Sequence, residues 1–335
     1  MYKIISHPGD IRFVDFYNRN NFHVILSNYG ASIYEIDAID KDNNLECVTL
    51  SPIMIRYFNN DRYYGLTIAR VAGRIKDAQF TVNKELFRIK PNENKNLLHS
   101  GYDTTAYRLF DFKIDDNDDE TIVTYSLKIK DKEDGFPGNL DLRVVYTLYK
   151  GEDTINVRYL ALSDKDTILN ITNHSYFNLS GNLKSPIDDE LLSVNKELLG
   201  VMDDELIISS LEDVPEEYDF RNPMPIGKYF SSEKVRETGI GGYDHLWSGK
   251  NPLHITLYSE KNGRYLEIDS NYKDVIMYTN NDASQTVFPG NTKDRPHLGI
   301  AIEPQRYSRI LKNEGLMQKA NQLYDYFITY KFGVK

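Results

Sequence analysis

The chain has 335 residues and a net charge of −10, with a pI near 5.3. It has no run of five or six basic residues and no stretch close to 18 apolar residues, which argues against nucleic-acid partners and membrane-spanning helices. Its only cysteine, Cys47, excludes a disulfide framework and a cysteine zinc site, and its N-terminus lacks an apolar signal segment. We therefore expect a soluble cytoplasmic protein.

Strand-like segments recur along the whole chain. The 25 tyrosines and 15 phenylalanines favour pleated sheet, as do the β-branched residues. The Asn262-Gly263 pair between two alternating runs predicts a hairpin. Helical patterns are confined to Ser231 to Glu237 and Lys312 to Asn321. The predicted strands are Phe22 to Leu26, Phe110 to Ile114, Thr121 to Ile129, Leu142 to Tyr149, Ile155 to Leu162, Thr167 to Thr172, His254 to Tyr258, Val275 to Tyr278, Leu298 to Glu303 and Tyr324 to Tyr330.

These elements predict the fold class. Length alone allows two ordinary domains or one large all-β domain. No Pro- or Ser-rich linker divides the chain, and no internal repeat of about 20 to 50 residues is evident. We therefore predict a single all-β domain over residues 1–335, a sandwich or barrel with a few short helices.

Arg74 and His99 are the first candidates for a functional site. Arg74 follows the small residues Ala72 and Gly73, which leave room for a ligand, and its guanidinium can donate to hydroxyls or carboxylates. His99 lies where an apolar stretch meets the turn at Ser100. A solvated surface arginine and a capping or loop histidine are the alternatives.

His174 is a candidate proton-transfer residue. It stands between the β-branched run Thr167 to Thr172 and a polar turn, which places it near a strand end on a rigid support. Histidine is the side chain whose ordinary pKa lies closest to neutral, so a positioned one can donate or accept a proton. The alternative is a hydrogen-bonded structural histidine.

Two carboxylates complete the set of candidates. Asp244 follows a Gly-Gly turn and precedes the only tryptophan, Trp247, and an acceptor beside an aromatic platform suits a carbohydrate. Glu303 ends a strongly apolar strand, where partial burial would raise its pKa towards that of a useful base. The alternatives are an aspartate that caps an ordinary turn and a glutamate that reaches solvent.

The spacing of residues predicts no metal or phosphate site. The seven histidines show no His-x-His or His-x-x-x-His pattern, and no phosphate-binding glycine-rich loop precedes a helix. Acid–base chemistry without a cofactor is the simplest enzyme hypothesis.

Eight segments of the chain, taken in order, resemble the aldose 1-epimerase (galactose mutarotase) family. The resemblance covers nearly the whole chain and implies a β-supersandwich, galactose mutarotase-like fold with a shallow sugar site on its concave face. It also implies interconversion of the α and β anomers of aldohexoses such as galactose or glucose, with no cofactor. We expect a sugar as the small-molecule partner and a monomer or homodimer. The segments are 73–75 with Phe80, 96–99, 134–138, 173–181, 203–207, 219–223, 242–245, and Glu303 with Gln305.

The resemblance also implies roles for the candidate residues. Glu303 corresponds to the general base that removes the proton of the C1 hydroxyl, and His174 to the general acid that protonates the ring oxygen. We expect these two side chains to face one another across a sugar-sized gap. His99 and Arg74 correspond to residues that hydrogen-bond the sugar and steady charge near the ring oxygen. Asp244 corresponds to the anchor for ring hydroxyls.

The chain departs from the family pattern at three positions. Gly73 stands where many members have asparagine, and Ser100 stands where glycine is usual. Pro304 follows the glutamate and cannot donate a backbone hydrogen bond. These departures bear on sugar preference more than on reaction type.

Two other functions fit part of the sequence. A glycoside hydrolase could use Asp244 and Glu303 as paired carboxylates, with their separation deciding the stereochemistry. A noncatalytic carbohydrate-binding protein could use the same aromatic and polar surface. Neither obviously requires His174 or His99.

Overall fold

The computed structural model describes residues 1–58, 60–307 and 314–335. Two short α-helices lie among the strands, α1 (Met54–Tyr57) and α2 (Glu233–Glu237). Strands β1 to β10 are Tyr2–His7, Ile11–Tyr17, His23–Ser27, Ser32–Ile39, Leu45–Cys47, Thr67–Ile68, Arg74–Ile75, Gln79–Val82, Glu85–Arg88 and Leu97–Leu98. Strands β11 to β20 are Asp111–Asp116, Glu120–Ile129, Leu140–Tyr149, Thr154–Ser163, Thr167–Ile168, Thr172–Asn173, Tyr176–Phe177, Leu191–Val194, Leu198–Met202 and Ile208–Asp213. Strands β21 to β30 are Met224–Pro225, Asp244–Ser248, Leu253–Tyr258, Arg264–Ser270, Asp274–Tyr278, Val287–Phe288, Thr292–Lys293, Ile300–Gln305, Met317–Gln318 and Tyr324–Val334.

Three large antiparallel sheets dominate the architecture. Strands β1 to β5 form a five-stranded sheet in sequence order. A nine-stranded sheet has the order β11-β12-β13-β14-β30-β24-β23-β18-β21, and a six-stranded sheet has the order β17-β28-β25-β22-β19-β20. Short 3-10 turns connect elements at Lys76–Ala78, Thr105–Tyr107, Glu216–Tyr218, Ile226–Tyr229, Pro289–Asn291 and Glu314–Leu316.

One shared apolar core holds the sheets together. Val275 and Met277 of the six-stranded sheet lie fully buried in the same cluster as Tyr146 and Ile268 of the nine-stranded sheet. Side chains alternate across a strand, so Ile276 and its other-face neighbours point away from this core. The second face of the six-stranded sheet is thus available to line a cavity.

The structure confirms the all-β sandwich and most of the predicted strands. The predicted hairpin at Asn262-Gly263 joins β23 to β24, with Gly263 at a φ of +79°. The predicted helical pattern at Ser231 to Glu237 corresponds to α2, which Ser232 caps through a bond from the backbone N–H of Val235. No helix in the described ranges is long and apolar enough to cross a membrane.

Three sequence predictions about elements are wrong. The run Thr167 to Thr172 is not one strand, because Asn170 bonds to other segments and separates β15 from β16. The helical pattern at Lys312 to Asn321 lies partly outside the described residues, and its described part is a 3-10 turn followed by β29. Glu303 does not end its strand, because β28 continues through Pro304, which pairs with Val275.

Candidate active site

His174 and Glu303 meet in one cavity. His174 directly follows β16, and its backbone forms hydrogen bonds with Leu66 and Gly65 at 2.9 and 3.0 Å. Glu303 lies within β28, where alternation places Ile302 in the core and Glu303 on the opposite face. Nε2 of His174 lies 3.3 Å from Oε1 of Glu303. The structure thus brings the two predicted catalytic residues into contact.

Both side chains are almost completely buried, with His174 4 % and Glu303 2 % exposed. Nδ1 of His174 and Oε2 of Glu303 have no hydrogen-bond partner among residues 1–58, 60–307 and 314–335. Burial raises the pKa of Glu303 well above its usual range, and the Asp244 carboxylate adds to the rise. Burial lowers the pKa of His174 to about 4. The pair therefore favours its uncharged forms, a carboxylic acid beside a neutral imidazole.

His99 is held as a neutral hydrogen-bond donor. Its backbone N–H donates to the carbonyl of Gly73 at 3.1 Å, and the N–H of Gly73 donates back to Nδ1 of His99 at 3.2 Å. An Nδ1 that accepts a hydrogen bond leaves the proton of a neutral imidazole on Nε2. Burial, with smaller contributions from His174 and Arg74, lowers the pKa of His99 well below its usual range. The ring centroid lies 5.1 Å from that of His174.

Arg74 lies between two carboxylates. Its Nε and Nη2 donate to the two carboxylate oxygens of Glu93, at 2.7 and 2.9 Å. Its Nη1 lies 3.5 Å from Oδ2 of Asp244. Burial raises the pKa of Asp244, while Arg74 acts against that rise. The bidentate bond fixes the plane of the guanidinium and leaves Nη1 directed towards Asp244 and the cavity.

The cavity that these groups line has a volume of about 620 Å³, within the usual range for small-molecule sites. Ile276 pairs with Glu303 across the sheet, and Leu246 pairs with Ile276, so an apolar floor lies beside Glu303 and His174. Tyr63 approaches from another segment and packs edge-on against His99 at 4.8 Å between ring centroids. The cavity thus combines an apolar floor with converging polar groups, as a sugar requires.

All five candidate residues from the sequence line this cavity, and several residues that the sequence analysis did not propose for the site line it too. Tyr63, Glu93, Asn170 and Gln305 also line it. Gln305 follows Glu303 by two residues, so strand alternation would have predicted a place on the same face. Glu93 and Asn170 come from irregular segments distant in sequence, and no local pattern signals them.

The prediction that Trp247 forms an aromatic platform beside the sugar site is wrong. Trp247 is fully buried in the core, and its Nε1 donates to the carbonyl of Tyr218 at 2.9 Å. Asp244 and Trp247 are three residues apart in β22, so alternation places them on opposite faces of the sheet. The tryptophan supports the sheet from behind, and only the aspartate faces the cavity.

Three of the site residues could in principle approach a metal ion. His99, His174 and Glu303 each offer a ligand atom, and these atoms lie within 4.8 Å of one another. However, Nδ1 of His99 already accepts a hydrogen bond from Gly73, so Nε2 carries the proton and has no free lone pair for a metal. The cluster therefore suits proton transfer better than metal binding.

Comparisons with known proteins agree with this geometry. The family model for aldose 1-epimerase matches residues 13–331. The chain is 30 % identical to the aldose 1-epimerase of Haemophilus influenzae over 329 residues, which covers 94 % of each protein. It is 28 % identical to human galactose mutarotase, with coverage of 93 % of this chain and 91 % of the human protein. The structure of galactose 1-epimerase from Lactobacillus acidophilus superposes with a TM-score of 0.85 at 24 % identity, over 100 % of this chain and 98 % of that one.

The family model and the homologues indicate an isomerase that acts on carbohydrates. The chain belongs to the aldose 1-epimerase family. Its fold is the galactose mutarotase-like β-supersandwich.

Proposed function

We propose that this enzyme interconverts the α and β anomers of aldohexoses such as galactose or glucose, with Glu303 as general base and His174 as general acid. The contact between these two groups carries the proposal. The two oxygens that must exchange protons, O1 and the ring oxygen, are both bonded to C1. The base and the acid act on these two oxygens of one carbon, so their side chains must lie close together, as the 3.3 Å contact allows.

The sequence had led us to expect the two side chains to face one another across a sugar-sized gap, and that expectation is wrong. They are in direct contact, so the sugar lies beside the pair with C1 against both groups. A direct contact also lets one proton pass between them. The pair with one proton has two forms, a neutral acid with imidazole and a carboxylate with imidazolium, and both have the same net charge.

The reaction begins from the carboxylate–imidazolium form. Glu303 takes the proton of the C1 hydroxyl, the C1–O1 bond becomes a carbonyl, and the bond from C1 to the ring oxygen breaks. The electron pair of that bond leaves with the ring oxygen, which takes the proton of His174. Rotation about C1–C2 presents the other face of the aldehyde. Closure reverses each proton transfer and restores the same pair with the other anomer bound.

The remaining candidate residues bind the sugar in this proposal. The Nε2 hydrogen of His99 is directed away from Gly73 and donates to the ring oxygen region, where negative charge develops on opening. Arg74 adds positive charge there because Glu93 holds its guanidinium in place. Asp244 accepts hydrogen bonds from ring hydroxyls, with Arg74 opposing the burial effect on its pKa.

We further propose that residues 1–335 act as one catalytic unit in the cytoplasm. The cavity draws its side chains from segments as far apart as Tyr63 and Gln305, which supports one unit. The single cysteine, Cys47, is a free thiol, as suits a reducing compartment.

Polarimetry tests the proposed reaction directly. Freshly dissolved α-D-galactose and α-D-glucose should approach their ordinary equilibrium rotation faster with protein than without it. An unchanged rate for these sugars and for maltose would overturn the proposal. Release of a new reducing end from a glycoside would instead identify a hydrolase.

A further inference from the structure

The orientation of one buried amide, Gln305, follows from its neighbours. Asn170 bonds to backbone groups at both ends of its side chain. Its Nδ2 donates to the carbonyl of Ala72 at 3.1 Å, and its Oδ1 accepts from the N–H of Arg306 at 2.7 Å. A carbonyl cannot donate and an N–H cannot accept, so the side chain of Asn170 has only one possible orientation.

The same Nδ2 of Asn170 contacts Gln305 at 2.9 Å. Because a donor faces Gln305 there, the atom of Gln305 at this contact is its oxygen, Oε1. Its Nε2 therefore points the other way. Among residues 1–58, 60–307 and 314–335 that nitrogen makes one long contact, 3.4 Å to the carbonyl of Glu303, and an amide nitrogen carries two hydrogens. One N–H hydrogen remains for a further acceptor.

The position of Gln305 places this donor next to the reacting centre. Gln305 is two residues after Glu303 in β28, on the same face of the sheet, and both side chains line the cavity. Gln305 is only 3 % exposed, so its amide is largely shielded from bulk water. A largely buried N–H group that makes no short hydrogen bond to the described residues can donate one to a bound ligand.

Gly73 leaves room for the ligand beside this amide. If Gly73 carried a Cβ, that atom would lie 3.4 Å from Oε1 of Gln305, its nearest neighbour. With glycine there, the space beside Gln305 is open, and the Gly73 backbone still holds His99. Glycine at position 73 thus leaves open the space beside Oε1 of Gln305, on the same amide as the proposed donor.

We propose that Gln305 is a substrate-binding residue that donates Nε2–H to one sugar hydroxyl, and that Asn170 is the positioning residue that sets its orientation. The ligand class is an aldose with a hydroxyl on the side of the ring next to Nε2 of Gln305. This inference rests on the proposed function, since the hydroxyl belongs to the same sugar that Glu303 and His174 open.

The test pairs Gln305→Met with four monodeoxy galactoses, lacking the hydroxyl at C2, C3, C4 or C6. Methionine fills a similar volume but cannot donate. For galactose we expect KM to rise roughly 3- to 10-fold, the fold-change of about one neutral hydrogen bond, with kcat within about twofold. For one of the deoxy sugars the substitution should leave KM unchanged, because the partner hydroxyl is already missing.

Controls separate this inference from the proposed function. Gln79→Met, at a glutamine outside the cavity, should leave KM unchanged for every sugar. Gln305→Asn keeps the amide but draws it back by one methylene. If Gln305→Met does not fold, the KM of Gln305→Asn should show the same dependence on one sugar hydroxyl. A KM that does not change, or that rises equally with all four deoxy sugars, overturns the role of Gln305. Wild-type protein that accelerates none of these sugars overturns the proposed function instead.

Discussion

Nε2 of His174 lies 3.3 Å from Oε1 of Glu303, in surroundings that oppose the charge of both groups. A buried carboxylic acid and a buried imidazole in contact can exchange one proton without changing the net charge of the site. The low polarity that shifts their pKa values also strengthens any hydrogen bond that the pair makes. This combination makes the pair sensitive to substitution and to pH.

Removal of either member should abolish most of the catalysis. Glu303→Gln and His174→Asn each keep a similar shape but cannot exchange the required proton. We expect the initial polarimetric rate to fall roughly 10²- to 10⁴-fold in each variant, the usual contribution of one positioned acid or base. Circular dichroism and a thermal melt should show that both variants remain folded.

A second buried glutamate provides a matched control. Glu190 is 4 % exposed, burial raises its pKa to about 8, and its Oε1 accepts a bond from the N–H of Leu179 at 2.7 Å. It does not line the cavity. Glu190→Gln should therefore keep its rate per folded molecule. A comparable loss of rate there would mean that burial of a carboxyl, and not proton transfer by Glu303, explains the first result.

The pH dependence should differ from that of an ordinary Glu–His pair. The productive pair holds one proton. Below the lowered pKa of His174, about 4, a second proton enters and removes the base. Above the raised pKa of Glu303 the single proton leaves and removes the acid. We expect kcat/KM to form a broad plateau through neutral pH, with its acid limb near pH 4.

Asp244→Asn tests the cause of the alkaline limb. The Asp244 carboxylate contributes to the raised pKa of Glu303, so its neutralisation should move the alkaline limb of kcat/KM to lower pH. The variant will also bind sugar more weakly, but the position of the limb is independent of that loss. An alkaline limb that stays in place or moves upward would contradict the assignment to Glu303.

Local sequence pattern predicted the strands but only part of the site. Long runs in which apolar and polar residues alternate, such as Glu120–Ile129, predict a strand clearly, because one face of such a strand must be buried. Strand alternation also predicts that Trp247 and Asp244 lie on opposite faces of the sheet. The prediction of an aromatic platform at Trp247 did not take this into account. The break at Asn170 was not predictable, because its side chain bonds to segments about 100 and 135 residues away. Glu93 lies in the site for the same kind of reason, since only tertiary packing brings it to Arg74.

A buried ion pair explains one family segment, residues 134–138, that does not line the cavity. Nε of Arg70 lies 2.7 Å from Oδ2 of Asp134, and the guanidinium also donates to the carbonyls of Pro137 and Gly138 at 2.9 Å. Both side chains are buried, Arg70 completely. Asp134→Ala would leave the arginine buried without its counter-charge.

We therefore expect Asp134→Ala to lower the free energy of unfolding by about 3–5 kcal/mol, the usual cost of breaking a buried pair. Urea denaturation followed by fluorescence measures this loss. Asp141→Ala, at an exposed partner of Arg143, is the matched control and should change stability little. If Asp134→Ala instead unfolds at the wild-type urea concentration but loses turnover, the segment acts in catalysis and its structural assignment is wrong.

Glu93 tests whether the orientation of Arg74 matters for turnover. Glu93→Gln removes the charge and one of the two acceptors that hold the guanidinium, so Arg74 becomes free to pair with Asp244 more closely. We expect kcat/KM to fall roughly 10-fold, the equivalent of about 1.4 kcal/mol for one hydrogen bond to a charged group. Glu93→Asp, which keeps the charge but shortens the side chain, should recover part of the loss. Since Glu93 is not among the charged groups that shift the pKa of Glu303, the alkaline limb of the pH profile should move far less than in Asp244→Asn. Full activity in Glu93→Gln would show that the cavity positions Arg74 without its carboxylate partner.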